Sequence, residues 1–353
     1  MNTSPGPVPH IAAVIPAWNA AALLPEVIGA IRASHLPVGE IILFDDGSTD
    51  DTAGVARALG ARVIRNDGNP LGPGEGRNRA TATTDAALVV FVDSDVVVHP
   101  DAIARLAGVF TNPNVVAAFG SYDDNPPAPR VPSQYANLRH HYVHQQGPVY
   151  ASTFWAGLGM VRRAEFLAIG GYDRGFGMPN IEDIEFGARI IARGGRIKLV
   201  REAQATHLKN WSLRQLWRTD IFSRAIPWSR LIGSGRHAGG DLNGATRERV
   251  AAVLAYSIPL GLAGGLLSRW WLLFALLAAL AYVVHNRGFF SFLSTRLKGM
   301  RLAGAIALHW TYHLYASAIF VTVSTWTRFT AKSAVPVPPR DKASGPERNS
   351  RVG

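Results

Sequence analysis

The chain has 353 residues, 36 Lys plus Arg against 25 Asp plus Glu, a formal charge of +11, and no Cys. The missing Cys excludes disulfides, thiol catalysis and Cys-ligated zinc. With 48% apolar and 17% charged residues, this is a folding composition, long enough for one large domain or two ordinary ones.

The amino end, MNTSPGPVPH, has no basic stretch followed by an apolar one, so it does not read as a secretory signal. Residues 11–15 are a short apolar strand ended by Pro16, and 20–33 are helix-like. Residues 40–44 form a second strand stopped by Asp45-Asp46-Gly47; 51–59 read as helix, 62–64 as strand, 74–82 as a helix start and 88–92 as a fourth strand. Strands alternating with helices predict an α/β domain with a mostly parallel sheet. Ligands of such sheets sit at the carboxyl ends of the strands. Polar clusters fall at those ends: Pro16-Ala17-Trp18-Asn19, Asp45 to Asp50, and Asp93-Ser94-Asp95.

Asp93 and Asp95 follow the apolar run LVVFV. Two carboxylates spaced i, i+2 at a strand end are hard oxygen ligands suited to Mg2+ or Mn2+. Asp45 and Asp46 either accept hydrogen bonds from a base or ribose, or make a turn with Ser48, Thr49 and Asp50. The Gly-rich stretch NDGNPLGPGEGRNRA is either a plain loop or an anion cradle using its N–H groups with Arg77 and Arg79. In RHHYVHQQ, His140 and His144 are spaced i, i+4. On a helix that spacing permits zinc, or it marks a surface or acceptor-lining stretch. Glu182-Asp183 at a helix start is, on spacing alone, charge that complements the helix dipole. His207 follows a short strand and opens a basic belt.

From Arg193 to Arg249 there are 12 basic and four acidic residues. Within this belt Trp211, Leu213, Leu216, Trp217, Ile221 and Phe222 alternate with Arg214, Arg218, Arg224 and Arg230. That pattern suits helices lying in a membrane interface against anionic headgroups, or an ordinary amphipathic surface helix. Nucleic acid is not an expected partner, because the charge is concentrated beside the apolar segment. Residues 250–267, 270–284 and 302–327 carry no Asp, Glu, Lys or Arg. The third run is long enough for a bilayer core of about 30 Å; the first is marginal and the second short. The first two predict a tight helical hairpin, spanning, re-entrant or simply buried. His309 and His313 are spaced i, i+4 inside the third run, where polar groups mark either function or helix contacts. Arg287, Arg296, Lys298 and Arg301 suit the cytoplasmic side. The Pro-rich, charged tail from residue 329 reads as disordered.

Seven segments together resemble glycosyltransferase family 2, the inverting sugar-nucleotide transferases of the GT-A fold. In order they are IPAWN (15–19), DDGSTDDT (45–52), GEGRNRA (74–80), VDSDV (92–96), FWAGLGMVRR (154–163), GGYD (170–173) and IEDIEFG (181–187). LHWTYHLYAS (308–317) looks like the tail of membrane-bound, lipid-directed members. The signature of processive synthases has only a weak echo at Gln215-Leu216-Trp217-Arg218.

The resemblance implies site roles. Asp46, with Pro16, Ala17 and Asn19, would hold the nucleotide, helped by Asp45 and Arg77. Asp93 would face the ribose or diphosphate, and Asp95, with Asp93 and His207, would bind the metal. Asp183 would be the general base, oriented by Glu182, and Phe154, Trp155 and Gly157 would form the acceptor wall. The expected organisation is a flexible lead (1–9), a GT-A catalytic domain (10–210), interfacial helices (211–249), transmembrane or re-entrant helices (250–328) and a disordered tail (329–353). The implied activity moves a sugar from a nucleoside-diphosphate sugar, UDP-linked by family preference, to a hydroxyl of a membrane lipid or lipid-linked glycan. Its alternatives are a polyprenyl-phosphate glycosyltransferase and a non-catalytic sugar-nucleotide-binding scaffold. The expected location is the inner or plasma membrane, with the catalytic domain cytoplasmic.

Overall fold

The computed structural model describes residues 10–176, 181–234 and 246–332. The expected flexible lead (1–9) and the tail beyond residue 332 lie outside the described residues.

Nine strands form one sheet: β1 (Ile11–Ala17), β2 (Glu40–Asp45), β3 (Arg62–Arg65), β4 (Leu88–Val92), β5 (Val96–Val98), β6 (Val115–Tyr122), β7 (Tyr150–Ala151), β8 (Leu158–Arg162) and β9 (Arg196–His207). Their order is β3-β2-β1-β4-β8-β6-β9-β5, with β7 against β9. Every residue of β1, IAAVIPA, is buried, as a central strand covered on both faces requires. The first four strands pair in parallel, as the alternating pattern predicts. Beyond β4 the pairing turns mixed. β8 runs antiparallel to β4 and β6, β9 runs parallel to β6, and β5 runs antiparallel to β9.

The sheet is flanked by α1 (Leu24–Arg32), α2 (Thr52–Ala58), α3 (Pro73–Ala82), α4 (Ala102–Gly108), α5 (Val131–Gln146), α6 (Arg163–Ile169) and α7 (Glu182–Ala192). α1 buries Leu24, Val27, Ile28 and Ile31, the i, i+3, i+4, i+7 stripe of a helix with one apolar face. One core joins α1, α2 and α4 to one face of the sheet. A second joins α3, α6 and α7 to the other.

The chain then continues through α8 (Leu213–Arg218), a π-helical segment (Thr219–Ala225), α9 (Ile226–Gly233), α10 (Thr246–Gly264), α11 (Arg269–His285), α12 (Arg287–Arg296) and α13 (Gly299–Lys332). A third core forms where these helices meet α5, around Tyr135, Leu138, Trp211, Leu216, Tyr282, Phe289 and Leu293. Trp211 and Leu216 of the basic belt are therefore core residues, while Trp217 and Phe222 stay exposed. Gln215, first residue of the weak synthase echo, closes a capping box with Ser212 at the start of α8.

α10 and α11 form the expected tight hairpin. A side chain at Gly261 would lie 2.9 Å from the backbone of Ala275, so only Gly allows this approach. The third apolar run lies in the 34-residue helix α13. His309 and His313 connect it to its neighbours: His309 to Tyr135 at 3.2 Å, and His313 to Tyr282 at 2.9 Å and Glu248 at 3.2 Å. Among the described residues no single helix is long and apolar enough to cross a membrane; α11 and α12 pass that test together but are bent by 70°. The hairpin leaves large apolar side chains in the open, including Leu266 at 91% and Leu267 at 86% exposure, with Leu260, Trp270 and Val284.

Candidate active site

The carboxyl ends of β1 and β4 open into a cavity of about 720 Å3, which runs from the sheet to the helices around α13. Twelve of the fourteen expected site residues line it: Pro16, Ala17, Asp46, Arg77, Asp93, Asp95, Phe154, Trp155, Gly157, Glu182, Asp183 and His207.

Asn19 and Asp45 are not among the lining residues. The Asn19 side-chain oxygen accepts the Thr49 N–H at 2.8 Å, from a residue with φ 51°. Asp45 is fully buried; it accepts the Ser48 N–H at 2.9 Å and pairs with Arg65 at 3.0 Å. Both make the turn after β2, the alternative open for that cluster. Asp46 is held beside the end of β1 by its own N–H, which donates to the Ala17 carbonyl at 2.9 Å. Its carboxylate accepts the N–H groups of Leu71 and Gly72 and the Asn66 amide, at 2.8–2.9 Å. The Gly-rich stretch is thus tied to Asp46 before it enters α3.

α3 turns Arg77 inward and Arg79 outward. Arg79 pairs with Glu75 on the surface at 2.9 Å. The buried Arg77 contacts Asp93 at 2.5 Å and Glu182 at 3.4 Å, so it joins the end of β4 to the start of α7. A buried guanidinium needs counter-charge, and that need turns Asp93 toward Arg77. Of the three residues expected around one ion, Asp93 thus pairs with Arg77.

Asp95 faces the other way. β5 pairs Val96 with His207, the last residue of β9, and this register sets the His207 Nε2 3.8 Å from Asp95 Oδ1. Lys209 reaches Asp95 Oδ2 at 3.2 Å. Burial raises the Asp95 pKa, but His207 and Lys209 outweigh it and hold the carboxyl well below its ordinary value. Among the described residues no group of three or more His, Asp and Glu side chains gathers for a metal ion. The Asp95–His207 pair still fits one. Mg2+-type sites use one or two protein ligands, with waters and substrate phosphates completing the shell, and donors about 2.1 Å from a shared ion lie about 3–4 Å apart.

Asp183 sits in the first turn of α7. Its carboxylate accepts the Ala156 N–H at 3.3 Å and the Ile184 N–H at 2.8 Å. Burial, then the neighbouring Glu182 carboxylate, push its pKa up to about 7, against the opposing pull of Arg77 and the two N–H groups. Gly187 lets α7 dock, because a side chain there would lie 2.6 Å from the Phe154 backbone nitrogen. The Phe154 ring is 1% exposed and packs edge-on against Phe119 and Phe186. It is packed into the core and reaches the cavity from its buried side.

Trp155 is part of an aromatic cluster on the cavity wall. The Tyr122 ring stacks on His207 at 4.3 Å and 8°, and lies 4.5 Å from His140 and 4.8 Å from Trp155. Burial pushes the His144 pKa down to about 4 even though its Nδ1 donates to the Gly120 carbonyl at 3.1 Å. His140 is lowered too, by burial and then by His144 and Arg224. Neutral rings of this kind form a hydrogen-bonding, stacking surface. Sequence reasoning missed Tyr122 and Lys209, lone residues outside any motif, and Arg139, which opens RHHYVHQQ but was passed over for its histidines.

Residues 12–166 match the family model described as glycosyl transferase family 2. Residues 138–210 match one described as the N-terminal domain of galactosyltransferase. The O-antigen chain rhamnosyltransferase RfbN of Salmonella typhimurium is 28% identical, over 65% of this chain and 77% of that protein. Residues 12–166 of this chain are a glycosyltransferase family 2 domain. Another similar protein is the succinoglycan biosynthesis protein ExoU of Rhizobium meliloti, 27% identical over 67% of this glycosyltransferase and 72% of ExoU. The mannosyltransferase PcManGT from Pyrobaculum calidifontis, solved with GDP-Man and Mn2+, shares the fold with a TM-score of 0.54 at 17% identity. The match covers 93% of this chain and 89% of that one.

Proposed function

We propose that this glycosyltransferase moves a sugar, with inversion, from a nucleoside-diphosphate sugar, UDP-linked by family preference, to a hydroxyl of a membrane lipid or lipid-linked glycan. The observation that carries the proposal is Asp183, a carboxyl lifted to about 7 in the same cavity as Asp46, Asp93 and Asp95. A carboxylate that titrates near neutrality takes a proton from a hydroxyl more readily than an ordinary Asp.

In the reaction, Asp183 accepts the hydroxyl proton and the acceptor oxygen bonds to the anomeric carbon from the face opposite the leaving group. The bond from that carbon to the diphosphate oxygen breaks, and the nucleoside diphosphate departs with the electron pair. Asp46 and the ends of β1 and β2 receive the nucleoside, while Tyr122 and Trp155 exclude water from the acceptor side. Asp95 and His207 would hold Mg2+ or Mn2+, which offsets charge on the diphosphate when bound. PcManGT, with the same fold, was solved with Mn2+ and GDP-Man. The exposed apolar side chains of α10 and α11 support membrane association, with these helices embedded or re-entrant and the catalytic domain cytoplasmic. A phosphate acceptor is already anionic and needs no strong base, so the polyprenyl-phosphate alternative leaves Asp183 without a task.

The test is a donor screen on detergent-solubilised full-length protein with Mg2+ or Mn2+. The expected result is release of one nucleoside diphosphate, enhanced by lipid acceptors that offer a sugar hydroxyl over dolichyl phosphate. Release from no donor under any metal would favour the binding scaffold and overturn the proposal.

A further inference from the structure

The cavity extends past the aromatic cluster into a chamber among α5, the π-helical segment, α9, α10 and α13. Arg139, on α5, lines it with its guanidinium carbon 3.5 Å from the centre of the Tyr312 ring. Among the described residues no carboxylate lies within ion-pair distance of Arg139. The two carboxylates of the chamber are already engaged. Asp220 pairs with Arg224 at 2.9 Å and accepts the Tyr315 hydroxyl at 2.8 Å; Glu248 contacts His313 at 3.2 Å. Arg224 comes from the π-helical segment, an irregularity that recurs at functional sites. Arg139 and Arg224 line the same cavity, together with His140. Beyond them the lining turns apolar, with Trp228, Ile232, Ala316 and Phe320 from α9 and α13.

A cation held by a ring and facing a cavity is poised for an anion, and the planar guanidinium suits phosphate. We propose that Arg139, with Arg224, binds the phosphate or diphosphate linker of a lipid-borne acceptor, whose chain follows the apolar lining between α9 and α13. This rests on the reading that the acceptor is lipid-linked, and it assigns that acceptor an anionic handle apart from the hydroxyl presented to Asp183. The phosphate is bound and takes no part in bond making.

The test measures binding to the full chain in detergent micelles, with nucleoside diphosphate and Mn2+ saturating so that the donor region is filled. Three probes are compared: farnesyl diphosphate, inorganic pyrophosphate and the neutral farnesyl glucoside. Farnesyl diphosphate is expected to bind best, and Arg139→Ala to weaken it roughly 10–100-fold, the scale of charged hydrogen bonds. Arg139→Lys should lose less, and farnesyl glucoside should bind both variants as it binds the wild type. Arg224→Gln gives a second, smaller loss if Arg139→Ala melts without cooperativity. Equal binding of farnesyl diphosphate to wild type and both variants would overturn the subsite, as would an equal loss for the neutral glucoside. Pyrophosphate binding as tightly as farnesyl diphosphate would overturn the lipid assignment. A wild type that binds nucleoside diphosphate but no farnesyl diphosphate sinks the subsite; one that binds no nucleoside diphosphate sinks the donor reading.

Discussion

Asp183 makes a quantitative pH prediction. Its carboxyl is raised from 3.8 to about 7, by burial first and the Glu182 charge second. A general base acts as the carboxylate, so activity should rise with pH through this value. With a pKa near 7, the ionised fraction is roughly one-eleventh at pH 6 and ten-elevenths at pH 8, so kcat/KM should rise about tenfold over that window. An ordinary Asp, ionising near 3.9, would change it by less than about 1%. Glu182→Gln removes the second cause, so the acid limb should move to lower pH. Asp183→Asn should abolish the limb and cost about 10²–10⁴-fold in kcat, with nucleoside-diphosphate binding retained. The stability effect has the opposite sign. A folded-state pKa raised above the unfolded one favours folding at pH below 3.8, and that contribution is lost as pH rises through about 7. Asp183→Asn should therefore stabilise the protein at pH 8, by ~0.5–2 kcal/mol as at other functional sites, and not at pH 4. The assay is initial-rate nucleoside-diphosphate release with acceptor varied, beside thermal melts at both pH values. A wild-type profile flat from pH 6 to 8 would refute the reasoning.

Two further outcomes follow from neighbouring residues. Gly187→Ala forces a methyl into the Phe154 backbone; the α7 displacement should cost ~1–3 kcal/mol and lower kcat by misplacing Asp183, read from urea unfolding and turnover. Asp95→Asn removes the charge that faces His207 and Lys209; Mn2+ enhancement of nucleoside-diphosphate binding, measured by calorimetry, should fall by at least about tenfold, and an undiminished enhancement would remove Asp95 from the metal role.

The first hundred residues were legible because each element there carries a local signal. β1, β2 and β4 are apolar runs ended by polar clusters, and α1 has a clean helical stripe. Local signal also misled. Asp45 and Asp46 are adjacent and chemically identical, yet a strand alternates its side chains, so one turns into the fold toward Arg65 and the other lines the cavity. Phe154 and Trp155 both reach the cavity, Phe154 from the core and Trp155 from the aromatic cluster. Nothing local to Asp93 shows that Arg77, sixteen residues upstream on another element, contacts it. Tyr122 carries no motif, and Arg139 stands at the edge of a histidine stretch that gives it no role. Their placement follows from β6 ending beside β9 and from α5 crossing α13, pairings that no local window contains.

The ion pairs of the cavity explain why its base is a base. Arg77 is the buried cation nearest three carboxylates, and its guanidinium contacts Asp93 at 2.5 Å and Glu182 at 3.4 Å. Asp183, next in the chain, receives backbone N–H groups instead and feels Arg77 only at longer range. A direct pair with Arg77 would hold Asp183 far below neutrality, where a carboxylate is a weak proton acceptor. With Glu182 taking the guanidinium, its neighbour keeps the desolvation and the like-charge repulsion that lift it toward 7. The adjacent acids are thus unequal by construction: the first anchors α7 to α3 and β4, and in doing so leaves the second basic enough to work.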